Sequence, residues 1–206
     1  MAAAAAVFQP VQLPIPEDVT SAPKPALLAS SPYLDQGHLL NLDTLDPQSR
    51  LLAHALTKLH SQGTDYATVK YEDSLNLDNV LTELEKLAHT ANLQWEEQDF
   101  YVVEFRSKLK PQIDNLLLFE LDKESHREAN ISGGLLKYWY GEPDAERRNL
   151  ATCFWTHKEA AIAGGRGPLH KQARAIIPQM YESINIKGLR FTVKDNVAGW
   201  TLEPYA

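Results

Sequence analysis

The chain has 206 residues, 44% of them hydrophobic, a formal charge of −7 and a single cysteine. That is enough apolar material for one main core. The acidic balance, with no basic run longer than Arg147-Arg148, lacks the footprint of a nucleic-acid binder. One cysteine, Cys153, excludes an internal disulfide and a cysteine-rich zinc site and fits a reducing cytoplasm, while no apolar run reaches the roughly 18 residues of a membrane span.

In chain order, residues 1–36 are rich in proline, alanine and serine and predict an extended arm that forms neither ladder nor helix. The start has no positively charged region and its apolar stretch is broken by Pro10, Pro14 and Pro16, so neither a secretory leader nor a mitochondrial presequence is expected. A helical lobe is predicted over residues 37–97. Asp46-Pro47 starts its first helix, with Leu51, Leu52, Ala55 and Leu59 at helical spacing and Gly63 as the stop. Val80, Leu81, Leu84, Leu87 and Ala88 form the apolar stripe of a second helix, and the intervening "TDYATVKYEDS" reads as extended.

Residues 98–206 predict a different layout. "DFYVVEFRSKL" alternates as a strand, followed by a helix in "PQIDNLLLFELDKESHREANISGG" and strands in "LLKYWYG" and "NLATCFWT". Thr156 and Glu159 have capping-box spacing over a short helix, and Pro168 opens another whose stripe runs to Ile184 with a kink at Pro178. "LRFTVKD" is the last strand. Strand, helix, strand, strand, helix, strand is the order of a ferredoxin-like α+β sandwich.

Helices in that layout cover one face of the sheet, yet the central strands are apolar on both. Leu136, Tyr138 and Tyr140 alternate with Leu135 and Trp139, and Leu150 and Phe154 alternate with Ala151, Cys153 and Trp155. A wet second face would forfeit about 1.5–3 kcal/mol per aromatic and leave a sticky patch. A second copy of the sheet, closing a homodimeric α/β barrel, is the favoured cover. The lobe folding back is the competing one.

The segments "DPQSRLLAHALTKL", "DKESHREANISGGLLKYWYGEPDAERRNLATCFWTHKEAA", "GGRGPLHKQA" and "MYESINIKGLRFTV" resemble a family of largely uncharacterised, mainly fungal proteins over roughly residues 40–202. The resemblance implies a fungal source and a cytoplasmic protein of the dimeric α/β-barrel kind. On topology alone the layout is also similar to the antibiotic-biosynthesis monooxygenases, the stress-responsive barrel proteins and small polyketide cyclases. These work without metal or organic cofactor, and no catalytic residue is carried over from them.

The residues themselves offer three constellations. Tyr138, Trp139, Tyr140, Phe154, Trp155 and Phe105 can wall a pocket for an aromatic or polyketide-like molecule, against the plainer reading of core packing. Glu104 and Arg106 share a strand face and would form a base and an enolate-binding cation in a barrel interior, or a wet pair on an open face. His126 has Asp122 one turn before it and Asn130 one turn after, so a carboxylate can orient it for acid–base work, or the helix face is simply solvated. His170 and Arg166 flank a helix start suited to an anion, whereas no metal-ligand spacing and no nucleotide motif occurs. The expectation is a cofactor-independent enzyme of fungal metabolism, a cyclase or isomerase acting by proton transfer through His126 or Glu104. The alternatives are a cofactor-free monooxygenase and a non-catalytic ligand-binding or interaction dimer.

Overall fold

The computed structural model describes residues 25–205. Its centre is a five-stranded antiparallel sheet in the order β4-β5-β3-β6-β7, formed by β3 (Gln98–Leu109), β4 (Leu135–Tyr140), β5 (Arg148–Trp155), β6 (Tyr181–Val193) and β7 (Trp200–Pro204). Leaving out β7, two interlocked strand–helix–strand units cross over each other, which is the ferredoxin-like arrangement expected from the sequence. The helices α4 (Asn115–Ser132), α5 (Lys158–Gly164) and α6 (Pro168–Met180) lie on one side. α1 (Pro47–Ala55), the short α2 (Tyr71–Ser74) and α3 (Leu77–Thr90) form the lobe on the other. A two-residue ladder joins β1 (Leu27–Leu28) to β2 (Leu40–Asn41).

The lobe is the cover of the second sheet face. Leu52, Leu56, Leu84 and Trp95 pack with Phe100, Val102, Leu136, Leu150, Phe154, Phe191 and Val193 in one buried cluster. This corrects the expectation of a face-to-face barrel. The apolar stripe of α3 needs a partner as much as the sheet does, and one chain satisfies both without a second copy. Any homodimer of this chain therefore uses another surface.

Several local expectations are also corrected. The described part of the arm does form a ladder, and residues 1–24 lie outside the described residues. The first helix gives way to a 3-10 turn and ends at Leu59 rather than Gly63. "TDYATVKYEDS" is turns plus α2, not extended chain. His157, not Thr156, caps α5, its Nδ1 accepting from Ala160 N. α6 stops at Met180 soon after Pro178, and Ile184 belongs to β6, a strand of 13 residues. A register shift between Leu135 and Lys137 inserts one residue into β4. Leu136 therefore turns to the lobe with Trp139, while Leu135 and Tyr138 face the helices.

The lobe side also takes in the Glu104–Arg106 pair. Glu104 is 3% exposed and accepts from Arg106 Nε at 2.5 Å, with Lys187 Nζ 3.9 Å away. The rest of the guanidinium binds the lobe, donating to Ala67 O at 2.6 Å and Ser74 Oγ at 3.2 Å. A planar fork with several fixed donors suits this stapling role. Arg106→Ala leaves a buried carboxylate with only a distant lysine, so a loss of about 3 kcal/mol is expected in urea unfolding. A loss under about 1 kcal/mol would show that the pair does not hold the lobe.

Candidate functional site

Strand register sets out a floor on the helix side of the sheet. Tyr138 pairs with Cys153, Cys153 with Val103, and Val103 with Gly188, giving one row across four strands. Tyr140, Ala151, Phe105 and Ile186 give the next. Tyr138, Tyr140, Val103, Phe105 and Cys153 are each half-buried, so this floor is less tightly sealed than the lobe side. Gly188 at the far end of the first row lets the Tyr101 ring lie against the strand, since a Cβ there would sit 2.3 Å from Tyr101 Oη and push the ring aside.

α4 crosses above the floor and supplies Asp122 and His126. Asp122 accepts from Tyr138 Oη at 2.7 Å and from Tyr33 Oη at 2.5 Å. Among the described residues it has no lysine or arginine partner. Burial raises its pKa above the ordinary carboxylate value, a rise that the two hydroxyls and the His170 charge only partly oppose. Burial, together with the Asp122 charge, also pushes both phenols upward.

His126 is 4% exposed and its Nδ1 lies 2.9 Å from Nδ1 of His38, so one imidazole donates and the other accepts. Its Nε2 has no partner among the described residues. Burial, reinforced by charge at His38 and His170, pushes its pKa down to about 3, and burial also lowers that of His38. The expected orientation of His126 by Asp122 is therefore corrected: the carboxylate holds two tyrosines, and a second histidine holds the imidazole. Tyr33 ties the group together, its ring 5.3 Å from both His38 and His126 and stacked 6.5 Å from Tyr138.

The remaining sequence candidates separate. Phe154 and Trp139 are on the lobe side, packed edge-on against Phe191 and Tyr66. Trp155 is 4% exposed and packs with Leu135, Ala129 and Ala160. Glu104 and Arg106 lie across the sheet from His126. The start of α6 does receive an anion, but an internal one: Glu128 of α4 accepts from Leu169 N, His170 N and His170 Nδ1 at 3.2, 3.0 and 2.9 Å. Arg166 is exposed beside it. Sequence reasoning missed Tyr33 and His38 altogether, because each finds its α4 partner 88 or 89 residues away.

Two open grooves lie elsewhere, one lined by Leu109–Asn115 and Arg147, the other by Thr44–Asp46, Ser132–Gly134 and the start of α5. Among the described residues no group of three or more His, Cys, Asp or Glu side chains is placed to hold a metal ion, and no helix is long and apolar enough to cross a membrane.

The buried neutral histidines have a consequence for stability. His126 binds a proton in the unfolded chain below about pH 6.5 but in the folded chain only near pH 3. Its contribution is thus complete above about pH 6.5 and is lost as pH falls, at up to about 1.4 kcal/mol per pH unit. Asp122, with a raised folded pKa, acts with the opposite sign: its contribution is complete below its unfolded value and is lost as pH rises through the folded one. His126→Gln isolates the imidazole, and urea unfolding of the variant between pH 7 and 4 is expected to show a shallower acid slope than wild type. Equal slopes would mean that His126 titrates normally.

A protein-family model described as PB2B2.08-like matches residues 29–204. UPF0643 protein PB2B2.08 of Schizosaccharomyces pombe is 35% identical over 188 residues, 88% of this chain and 84% of the relative. Among solved structures, Rv0793 of Mycobacterium tuberculosis aligns with 44% of this chain and 92% of its own at 14% identity and a TM-score of 0.39. A putative antibiotic biosynthesis monooxygenase from Nitrosomonas europaea aligns with 48% and 92% at 14% identity and a TM-score of 0.39. The match to the family model runs from just after β1 to the end of β7, and on it the chain belongs to the PB2B2.08-like family.

Proposed function

We propose that the protein is a cofactor-independent enzyme that moves a proton on a flat phenolic or polyketide-like substrate, with Asp122 as the base. The observation that carries this reading is Asp122 itself, a carboxylate raised by burial, without a cationic partner among the described residues and hydrogen-bonded by two phenols. Such a group is poised to take a proton nearer neutral pH than an ordinary aspartate.

In the step we envisage, Asp122 removes a proton from a carbon flanked by carbonyls or from an enolic hydroxyl. The electron pair left behind becomes an enolate, whose oxygen accepts a hydrogen bond from Tyr138. Return of the proton to a different carbon gives isomerisation. Attack of the enolate carbon on a carbonyl of the same molecule gives cyclisation, the carbonyl π electrons passing to its oxygen, which takes the proton back from Asp122. His126, neutral at working pH, orients the substrate through Nε2 and neither donates nor takes the reacting proton. Tyr140 and Phe105 supply stacking surface, and Glu104 and Arg106 have no part in the chemistry.

The expected outcome with the substrate, fished from an extract of the producing organism, is that Asp122→Asn lowers turnover by about 10²–10⁴-fold, the usual worth of a positioned base. The acid limb of kcat/KM should lie above the ordinary aspartate value of about 3.9. Glu104→Gln should leave turnover of the folded enzyme unchanged. Full activity in Asp122→Asn would sink the proposal, and stoichiometric oxygen uptake would move the reaction to a substrate carbanion reacting with O₂.

A further inference from the structure

Residues 29–39 form a loop whose two ends meet. Leu27 pairs with Asn41 and Leu28 with Leu40 at its base, and Leu42 N donates to Ala26 O at 2.8 Å. Leu40 and Leu42, just beyond, are buried in the lobe core, so the base is fixed. Compact loops of this kind, closed at the neck, are frequent carriers of function.

What holds the loop down is polar. Besides Tyr33 on Asp122 and His38 on His126, Asp35 pairs with Lys123 at 2.5 Å. Asn130 Nδ2 donates to Gly37 O and Leu39 O at 3.3 and 3.0 Å, and Ser30 O accepts from Tyr138 N at 2.9 Å. Asp122, His126 and Asn130 recur every fourth residue along one face of α4, which is why one helix grips the whole loop. The buried side-chain atoms left without a partner among the described residues are Ser30 Oγ, Ser125 Oγ, His126 Nε2 and Asn130 Oδ1. All four belong to the loop or to α4. Interiors leave few such groups, and three of the four, on Ser30, His126 and Asn130, belong to residues that themselves hold the loop down, which marks this contact as one where the chain can part.

Tyr33 lies in this contact as a bound phenol would. Its hydroxyl is on Asp122, its ring is stacked on Tyr138 at 27°, and the Phe119 ring meets it edge-on with centroids 5.8 Å apart. We infer that the loop over residues 29–39 is a lid hinged at the β1–β2 ladder, and that Tyr33 fills in the closed state the place of the substrate's hydroxylated ring. The inference rests on the reading of Asp122 and Tyr138 as the reactive pair. It adds what that pair selects: a phenol or enol whose hydroxyl donates to Asp122 while its ring takes over the contacts of Tyr33. Entry of the substrate and displacement of Tyr33 are then one event.

β4 is the edge of the sheet, and the Tyr138 amide points outward to Ser30 O. Its hydrogen exchange therefore reports lid opening, whereas the Val102 amide on β3, paired on both sides, exchanges with global unfolding. In the full-length protein, NMR is expected to find the Tyr138 amide exchanging at least about 100-fold faster than that of Val102. Millimolar p-cresol should speed it further and toluene should not. Tyr33→Phe keeps the ring, loses the bond to Asp122 and should bind p-cresol about tenfold more tightly than wild type. Tyr138 exchange at the rate of Val102, or p-cresol and toluene acting alike, would overturn the lid. If the lid opens and takes p-cresol while Asp122→Asn keeps full turnover, the lid stands and the acid–base reading falls alone.

Discussion

The architecture follows from a sheet that is apolar on both faces and has to be covered twice. Phe100, Val102, Leu150, Phe154 and Phe191 are buried against the lobe, each worth about 1.5–3 kcal/mol when taken out of water. The opposite face meets α4, α5 and α6, whose burial is far less complete: on α6 only Met180 is fully buried. One side is therefore core and the other keeps room for chemistry. The lobe does more than stabilise, because by sealing its own face it confines the half-buried tyrosines, the cysteine and the polar cluster to the helix side.

On both sides of the sheet the balance of burial and pairing sets the character of each ionisable group. Glu104, although buried deeper than Asp122, has Arg106 at 2.5 Å and a structural task. Asp122 has only hydroxyls, and desolvation goes uncompensated. His126 and His38 share one hydrogen bond between two rings, an arrangement that holds only while at least one facing nitrogen is unprotonated. The same physics that settles Glu104 into an ion pair leaves the Asp122 carboxyl raised above its ordinary value.

Much of the fold was legible because it is written in short periods. The alternation in β3 and β5 and the stripe of α3 each need a window of about ten residues, and the strand–helix order then fixes the topology. The phase of β4 was not legible, since a single inserted residue between Leu135 and Lys137 puts Leu136 and Tyr138 on opposite faces without altering composition. The end of α6 escaped for a similar reason: apolar residues continue straight from helix into strand across Met180 and Tyr181. Within the site, His126 and Tyr138 stood out as a histidine in a polar helix and an aromatic in a strand. Tyr33 and His38 did not, because a proline-rich stretch has no periodicity from which a contact with a distant helix can be inferred. Phe154 and Trp139 were attractive for their size alone, and size is equally what a core requires.

Ser30 also has a protective office. Its carbonyl caps an outward amide of β4, a strand whose free edge would otherwise present a template for another chain. A molecule with this loop lifted offers its neighbours an edge carrying Leu135, Leu136, Tyr138 and Trp139. The irregular register at Lys137 spoils that edge as a mate. Under the proposed opening, access to the interior and resistance to self-association would be set by the same few residues, and a sequence that smoothed the bulge would gain a straighter strand at the risk of a less soluble protein.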